Sequence, residues 1–227
     1  MYKKQYLSSP VKFDLNNQTL WLCSDRCIFW EDQKSLILSD LHLGKSGHFR
    51  KSGIAVPQNV YKEDLQRLFS LIQYFNPVQL LIVGDLFHSH ENKEMELFTK
   101  WRKDLGYLSI QLIKGNHDIL TKNFYSKSKI ATTIGKLAID NFCFTHDIML
   151  SCQTDENKPV YSFSGHIHPG IKIRGTGKQS LFFPCFYFGE TYAVLPAFSR
   201  FTGLSKIEIK SCDKIFAIVD NQIFKIQ

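Results

Sequence analysis

Five short apolar runs in this chain each end in residue types that bind hard or borderline metal ions. Leu36-Ile37-Leu38-Ser39 leads into Asp40-Leu41-His42, and Leu81-Ile82-Val83 into Gly84-Asp85. Gln111-Leu112-Ile113-Lys114 leads into Gly115-Asn116-His117-Asp118, Phe142-Cys143-Phe144-Thr145 into His146, and Tyr161-Ser162-Phe163-Ser164 into Gly165-His166-Ile167-His168. In open α/β sheets, sites assemble at the carboxyl ends of strands. An Asp and a His two apart at a strand's end project to the same side, so Asp40 and His42 are expected to reach one ion. Glycines before Asp85, Asn116 and His166 permit tight turns and close backbone approach. All eight histidines lie in or beside these segments, with His48, His88 and His90 just outside the core motifs. Isolated structural histidines do not gather in this order.

The pattern around these runs fixes a fold class. Strand-like segments occur at Thr19–Cys23, Arg26–Trp30, Ser35–Ser39, Gln79–Val83, Leu108–Ile113, Asn141–Thr145 and Val160–Ser164, each short and apolar with β-branched or aromatic residues. Between them, Val60, Leu65, Leu68, Phe69 and Ile72 recur near the helical period up to about Phe75, with Pro57 suited to a first helical turn. A second helix is expected from about Asn92 to Leu105. Strand–helix alternation in the first half argues for a buried, mostly parallel sheet. The second half reads as β-rich, with strands at Ile171–Arg174, Leu181–Phe188, Thr191–Leu195, Lys206–Lys210, Lys214–Val219 and Gln222–Lys225. Gly189-Glu190, Asp220-Asn221 and Gly175-Thr176-Gly177 are expected turns. Met1–Trp30 is expected to add strands to that half. Two packed sheets with helices outside accommodate both halves.

At 227 residues the expectation is one domain, 1–227. The 19 phenylalanines sit mostly in short apolar runs and are expected in the core, as is the Phe-rich stretch from Leu181 to Phe201. A formal charge of +7 tilts the partners toward polyanions. The six cysteines include no C-x-x-C pair, which favours indifferent thiols in a reducing compartment. No apolar leader or membrane-length run appears, so a cytoplasmic location with no membrane partner is expected. Phosphate-loop, dinucleotide-binding and serine-nucleophile readings lack their motifs. No base-reading motif is present, so sequence-specific DNA recognition is not expected.

The order D-x-H, G-D, G-N-H-D, lone H, G-H-x-H resembles the metal-binding signature of the calcineurin-like metallophosphoesterases, from about Ser35 to His168. The resemblance implies an α/β fold, a four-layer sandwich of two β-sheets flanked by helices. It also implies two divalent metal ions, manganese first, with iron or zinc compatible with the same donors. Asp40, His42 and His168 match the first-metal ligands, Asp85 the bridging carboxylate, and Asn116, His146 and His166 the second-metal ligands. His117 matches the histidine near the leaving group and Asp118 its orienting partner. The nucleophile would be a hydroxide bridging the ions. Where relatives often continue the G-D block to a further acid, this chain has Leu86-Phe87-His88, so His88 either replaces that acid or contacts substrate.

The segment from Gly44 to Pro57, with Gly84-Asp85-Leu86-Phe87-His88-Ser89, is similar to the DNA ligase-associated metallophosphoesterases of the PdeM type. That likeness implies a phosphodiesterase or nuclease acting on DNA ends in bacterial repair, alongside ligase, helicase and exonuclease partners. Lys45, His48, Arg50 and Lys51 form a basic cluster near the site, with Lys45, His48, Arg50 and His88 as candidate substrate contacts; a solvated loop explains the cluster equally well. Lys172, Arg174 and Lys178 read as a solvated stretch. Two alternatives stay open: a small-molecule phosphatase or diesterase, and a non-catalytic repair scaffold. Intact candidate ligands and His117 weigh against the scaffold.

Overall fold

The computed structural model describes residues 8–45, 60–88, 93–150, 160–175 and 179–227. Its first sheet has seven strands in simple sequence order: β1 (Val11–Leu15), β2 (Gln18–Cys23), β3 (Cys27–Trp30), β4 (Ser35–Leu38), β5 (Gln79–Val83), β6 (Ser109–Lys114) and β7 (Ile130–Ile134). β4 to β7 pair in parallel, and β1 to β4 form an antiparallel meander. All four residues of β4 are buried, as a parallel strand covered on both faces requires. Contrary to expectation, the N-terminal strands join this first sheet. The reason is local: Lys34 (φ 45°) closes a tight turn by donating its amide to the Glu31 carbonyl at 3.0 Å, which folds β3 back onto β4. Asn16 and Asn17 (φ 49° and 61°) form the β1–β2 hairpin, a left-handed pair that Asn tolerates.

The helices that follow β4, β5 and β6 are α1 (Val60–Phe75), α2 (Lys93–Asp104) and α3 (Lys122–Lys127). Leu68, Leu71 and Ile72 of α1, Met95 and Phe98 of α2, and Tyr125 of α3 pack with Leu36, Leu38, Leu80 and Leu112 in one core cluster. The described α-helices therefore cover the outer face of the first sheet. Among the described residues, no helix is long and apolar enough to cross a membrane.

The second sheet has nine strands. β8 (Lys136–Ile139), β9 (Phe142–Thr145), β10 (Tyr161–Ser164), β13 (Tyr192–Val194), β12 (Ser180–Phe188), β11 (Pro169–Arg174) and β14 (Ser205–Lys206) lie in that spatial order, and β15 (Lys214–Val219) pairs β12 and β16 (Gln222–Lys225). Asp220-Asn221, at φ 48° and 60°, makes the expected turn between β15 and β16. Phe142, Phe144, Phe163, Phe186 and Phe188 meet Trp30, Ile37, Leu81, Val83 and Ile113 in the core between the sheets. The expected two-sheet α/β architecture is what forms.

β7, β8 and α3 were not expected, and β1 was expected only as part of the strand-forming segment Met1–Trp30. β7 and β8 are edge strands with exposed residues, and they meet at Gly135 (φ 81°), where the chain passes between sheets. Lys206–Lys210 was expected as a strand, but only Ser205–Lys206 pairs with β11 at the sheet's margin. In the Phe-rich stretch Cys185–Phe188 are buried, while Leu181 stands 64% exposed. Cys23, Cys27, Cys185 and Cys212 are free thiols as expected, but Cys143 is disulfide-bonded. Its pairing depends on tertiary proximity, which spacing does not reveal.

Candidate metal centre

The loops after β4, β5, β6, β9 and β10 converge at one end of the two sheets. Asp40 (φ 53°), His42 (φ 49°), Asp85 (φ 52°), His166 (φ 67°) and His168 (φ 53°) all have left-handed backbone. For non-glycine residues that conformation costs about 1–2 kcal/mol each. It also changes the expected route by which Asp40 and His42 converge: β4 ends at Leu38, and two left-handed residues, rather than strand alternation, turn both side chains inward. The loops brace one another. Asp40 N donates to Gly84 O at 3.1 Å, His42 N to Asp85 O at 2.9 Å, Leu43 N to Leu86 O at 2.9 Å and His88 N to Leu43 O at 2.8 Å.

The glycines of the motifs are required by the side chains beside them. A Cβ on Gly84 would lie 2.0 Å from His146 Nδ1, one on Gly115 2.2 Å from Asp85 Oδ1, and one on Gly165 2.5 Å from Asp40 Oδ2.

Two donor groups result, each able to hold a metal ion: Asp40, His42 and His168, and Asp85, His146 and His166. In the first, His168 Nε2 is 3.2 Å and His42 Nε2 3.9 Å from Asp40 Oδ1, and the two imidazole nitrogens are 3.5 Å apart. In the second, His146 Nε2 lies 3.3 Å from Asp85 Oδ2, 3.2 Å from His166 Nδ1 and 3.2 Å from Asn116 Oδ1. Asp85 Oδ2 is also 4.0 Å from His42 Nε2, which sets this carboxylate between the groups. All seven expected ligands are thus brought together.

Hydrogen bonding around the donors fits ligation. His146 Nδ1 lies 3.1 Å from the Val83 carbonyl, which makes that nitrogen a donor, so the neutral ring would offer a metal its Nε2 lone pair. His42 Nδ1 lies 3.3 Å from His88 Nδ1, so one ring donates to the other. With a cation on His42 Nε2, His42 Nδ1–H would be the donor and His88 the acceptor. Asp40 Oδ2 accepts from His166 N at 3.1 Å, but Asp40 Oδ1 is buried with no hydrogen-bond partner. A buried carboxylate oxygen without a partner is costly, and a divalent cation would satisfy it.

The electrostatics agree. Burial holds the His42 imidazolium down, to about 3, against the pull of Asp40 and Asp85. Burial alone would raise the Asp85 carboxyl, but its hydrogen bond and charge interaction with His146 bring it to about 2. Burial opposes protonation of His146 too, yet Asp85 and Asp40 lift it to about 9. A proton on His146 thus stands where a cation's charge would otherwise neutralise the carboxylates.

His117 presents its amide to Asp85 Oδ1 at 2.9 Å, and its ring stacks on His88 with centroids 4.3 Å apart. Asp118 is not brought to that ring. Its carboxylate accepts from Phe87 N and Gly115 N, both at 3.0 Å, tying the two loops together, and burial lifts its carboxyl to about 6. Lys45 is half-buried and within electrostatic reach of Asp40 and Asp85; burial lowers its ammonium. His48, Arg50, Lys51, His90 and Lys178 lie outside the described residues. Lys172 and Arg174 are exposed on β11, as a solvated stretch would be.

One supporting element has no signal in the sequence. Phe198 N donates to Ser39 O at 2.8 Å and Ser199 N to Asp40 O at 3.1 Å, which clamps the backbone of the Asp40 loop. That segment is held in turn by Arg26, which donates to Ala197 O and Ser199 O, and by Arg67, which donates to Phe198 O.

Comparison with known proteins agrees with this geometry. Residues 34–146 match the family model for calcineurin-like phosphoesterase. The chain is a calcineurin-like, metal-dependent phosphoesterase. It is similar to the crystal structure of the Pseudomonas putida nuclease MPE, with 25% identity over 96% of this chain and 100% of that one, at a TM-score of 0.79. The phosphoesterase Yfce from E. coli aligns at 15% identity over 85% of this chain and 97% of its own, with a TM-score of 0.42. No curated protein matches the chain.

Proposed function

We propose that this protein is a dinuclear phosphodiesterase acting on DNA, with the whole chain, 1–227, working as one domain. The observation that carries the reading is the position of Asp85 between two donor groups, 4.0 Å from His42 Nε2 and 3.3 Å from His146 Nε2. Asp40, His42 and His168 would hold one ion, Asn116, His146 and His166 the other, and Asp85 would bridge. Two bound divalent ions supply hydroxide near neutral pH and neutralise charge on phosphoryl oxygens. The protein's own groups do the rest. Asp40 and Asp85 fix the charge balance, and the backbone ladder between their loops holds the spacing. His117, stacked on the His88 ring, would give a proton to the departing oxygen or attract the phosphate. Asp118 acts on His117 only through the loop it ties down. Lys45 is the described cation best placed for a non-bridging phosphate oxygen.

DNA as substrate rests on the likeness to a nuclease over nearly the whole chain and on the charge of +7. Manganese is the metal to supply first. A cytoplasmic role in DNA repair, beside ligase, helicase and exonuclease partners, is proposed from the resemblance of the 44–57 and 84–89 segments to the DNA ligase-associated metallophosphoesterases. The deciding measurement is hydrolysis of an aryl phosphodiester and of its monoester in Mn²⁺, with wild type and Asp85→Asn. Diester hydrolysis that the variant loses together with bound metal supports the reading. Activity confined to the monoester would transfer it to a small-molecule phosphatase. His117→Ala should keep its metals and turn over slowly; full activity in that variant would remove His117 from the chemistry.

A further inference from the structure

We propose that the cleft between α2 and α3 binds single-stranded nucleic acid and leads it toward the metal centre; this rests on the DNA reading above. The cleft has a volume of about 510 Å³. Lys100 and Lys103 line it from α2 and Lys127 from α3, against one acidic lining residue, Glu96. Lys100 and Lys103 are three apart, so they share a helix face and present two charges along one line. All three lysines are exposed. Among the described residues none of the three is in an ion pair, and lysine ammonium groups are suited to backbone phosphates with no sequence preference.

The floor of the cleft is apolar. Met95 and the half-buried ring of Phe124 line it between the lysines. A cationic groove with an aromatic floor is the arrangement that binds single strands, since unstacked bases pack on the ring while the backbone follows the charges. A duplex keeps its bases stacked inside and gains nothing from that floor.

Position ties the cleft to the reaction. α3 follows the Gly115–Asp118 loop and α2 follows the Gly84–His88 loop in the chain, so Met95 and Phe124, near the helix starts, form the end of the cleft closer to the donor groups, and Lys103 and Lys127, at the helix ends, form the far one. The Phe124 ring meets the Phe87 ring edge-on at 5.3 Å, and Phe87 directly precedes His88. A base stacked on Phe124 would therefore be one buried ring, Phe87, away from the loop that holds Asp85.

The test uses the full chain loaded with Mn²⁺ and the triple variant Lys100→Gln/Lys103→Gln/Lys127→Gln. Its substrates are an oligo(dT), the matching duplex and the aryl phosphodiester, each across a salt titration. The expected result is a KM for oligo(dT) raised about tenfold and a salt slope smaller by about two, with aryl diester hydrolysis unchanged. Oligo(dT) hydrolysed by the variant with wild-type KM and salt slope overturns the groove while the nuclease reading stands; an acidic protein segment is then the remaining polyanion class. Wild type preferring duplex to single strand also overturns it. Wild type that hydrolyses the aryl diester but neither nucleic acid overturns the DNA reading and the groove together.

Discussion

Asp40 leaves its surroundings almost no freedom. Its backbone is left-handed, Oδ2 takes the His166 amide, and its carbonyl takes the Ser199 amide, so Oδ1 alone points, unpartnered, toward His168 and His42. His42 is met on its far side by His88, with the two Nδ1 atoms 3.3 Å apart. His88→Ala removes the acceptor for His42 Nδ1–H and should weaken metal binding by about 10–100-fold. His88→Asp restores an acceptor and should recover most of the loss. Metal titration by calorimetry reads both, and equal affinity in wild type and His88→Ala would show that this contact does not tune the ligand. At this scale the sequence was highly legible. Residues with metal-donor side chains at five strand ends can be named without coordinates, because the chemistry restricts the residue types. What it could not show is which imidazole nitrogen each histidine offers, or that Asp118 spends its carboxylate on Phe87 and Gly115 amides.

Elements were legible where burial was complete. β4, β5, β9 and β10 read directly as apolar runs, and α1 as a 3.6-residue period. β7 and β8 were not, because edge strands with one wet face carry too few apolar residues to distinguish them from loop. Least legible was the link between α1 and the metal loop. Arg67 of α1 is buried, 3.0 Å from Asp64, and lies over the Phe198 ring at 4.2 Å while donating to the Phe198 carbonyl. Its partner carbonyl is 131 residues away in the chain, a separation no local pattern reports. Burial depresses the Arg67 guanidinium and raises the Asp64 carboxyl, each only partly offset by the other. Arg67→Met leaves Asp64 without its closest cation and should cost about 3–5 kcal/mol of stability. Arg67→Met/Asp64→Leu should regain a large part of it. Thermal unfolding of the two variants decides: a double variant no better than the single one would mean that Arg67 acts through the Phe198 carbonyl alone.

At the scale of the whole molecule, the donors come from both sheets. Asp40, Asp85 and Asn116 follow strands of the first sheet, and His146, His166 and His168 follow strands of the second. A cation shared by Asp40 and His168, or by Asp85 and His146, therefore adds a cross-link between two layers that packing and contacts such as Ser39–Ala197, Asp40–Ser199, His146–Val83 and His166–Asp40 already join at this end. Without the cation, carboxylates crowd a buried space, and they raise the basicity of His146 beside them. Ligand that binds the folded state at a hundred times its Kd stabilises by about 2.7 kcal/mol per site. In a chain of 227 residues each kcal/mol moves Tm by about 2–4 °C. Saturating Mn²⁺ should then raise Tm by roughly 5–10 °C per occupied site over the chelator-treated protein. Asp85→Asn should lose most of the shift, since Asp85 serves both groups, whereas the groove lysines should leave it untouched. A Tm indifferent to Mn²⁺ in wild type would mean that the two donor groups do not hold metal under those conditions. A shift undiminished in Asp85→Asn would place the bound ion elsewhere and remove the bridging role from this carboxylate.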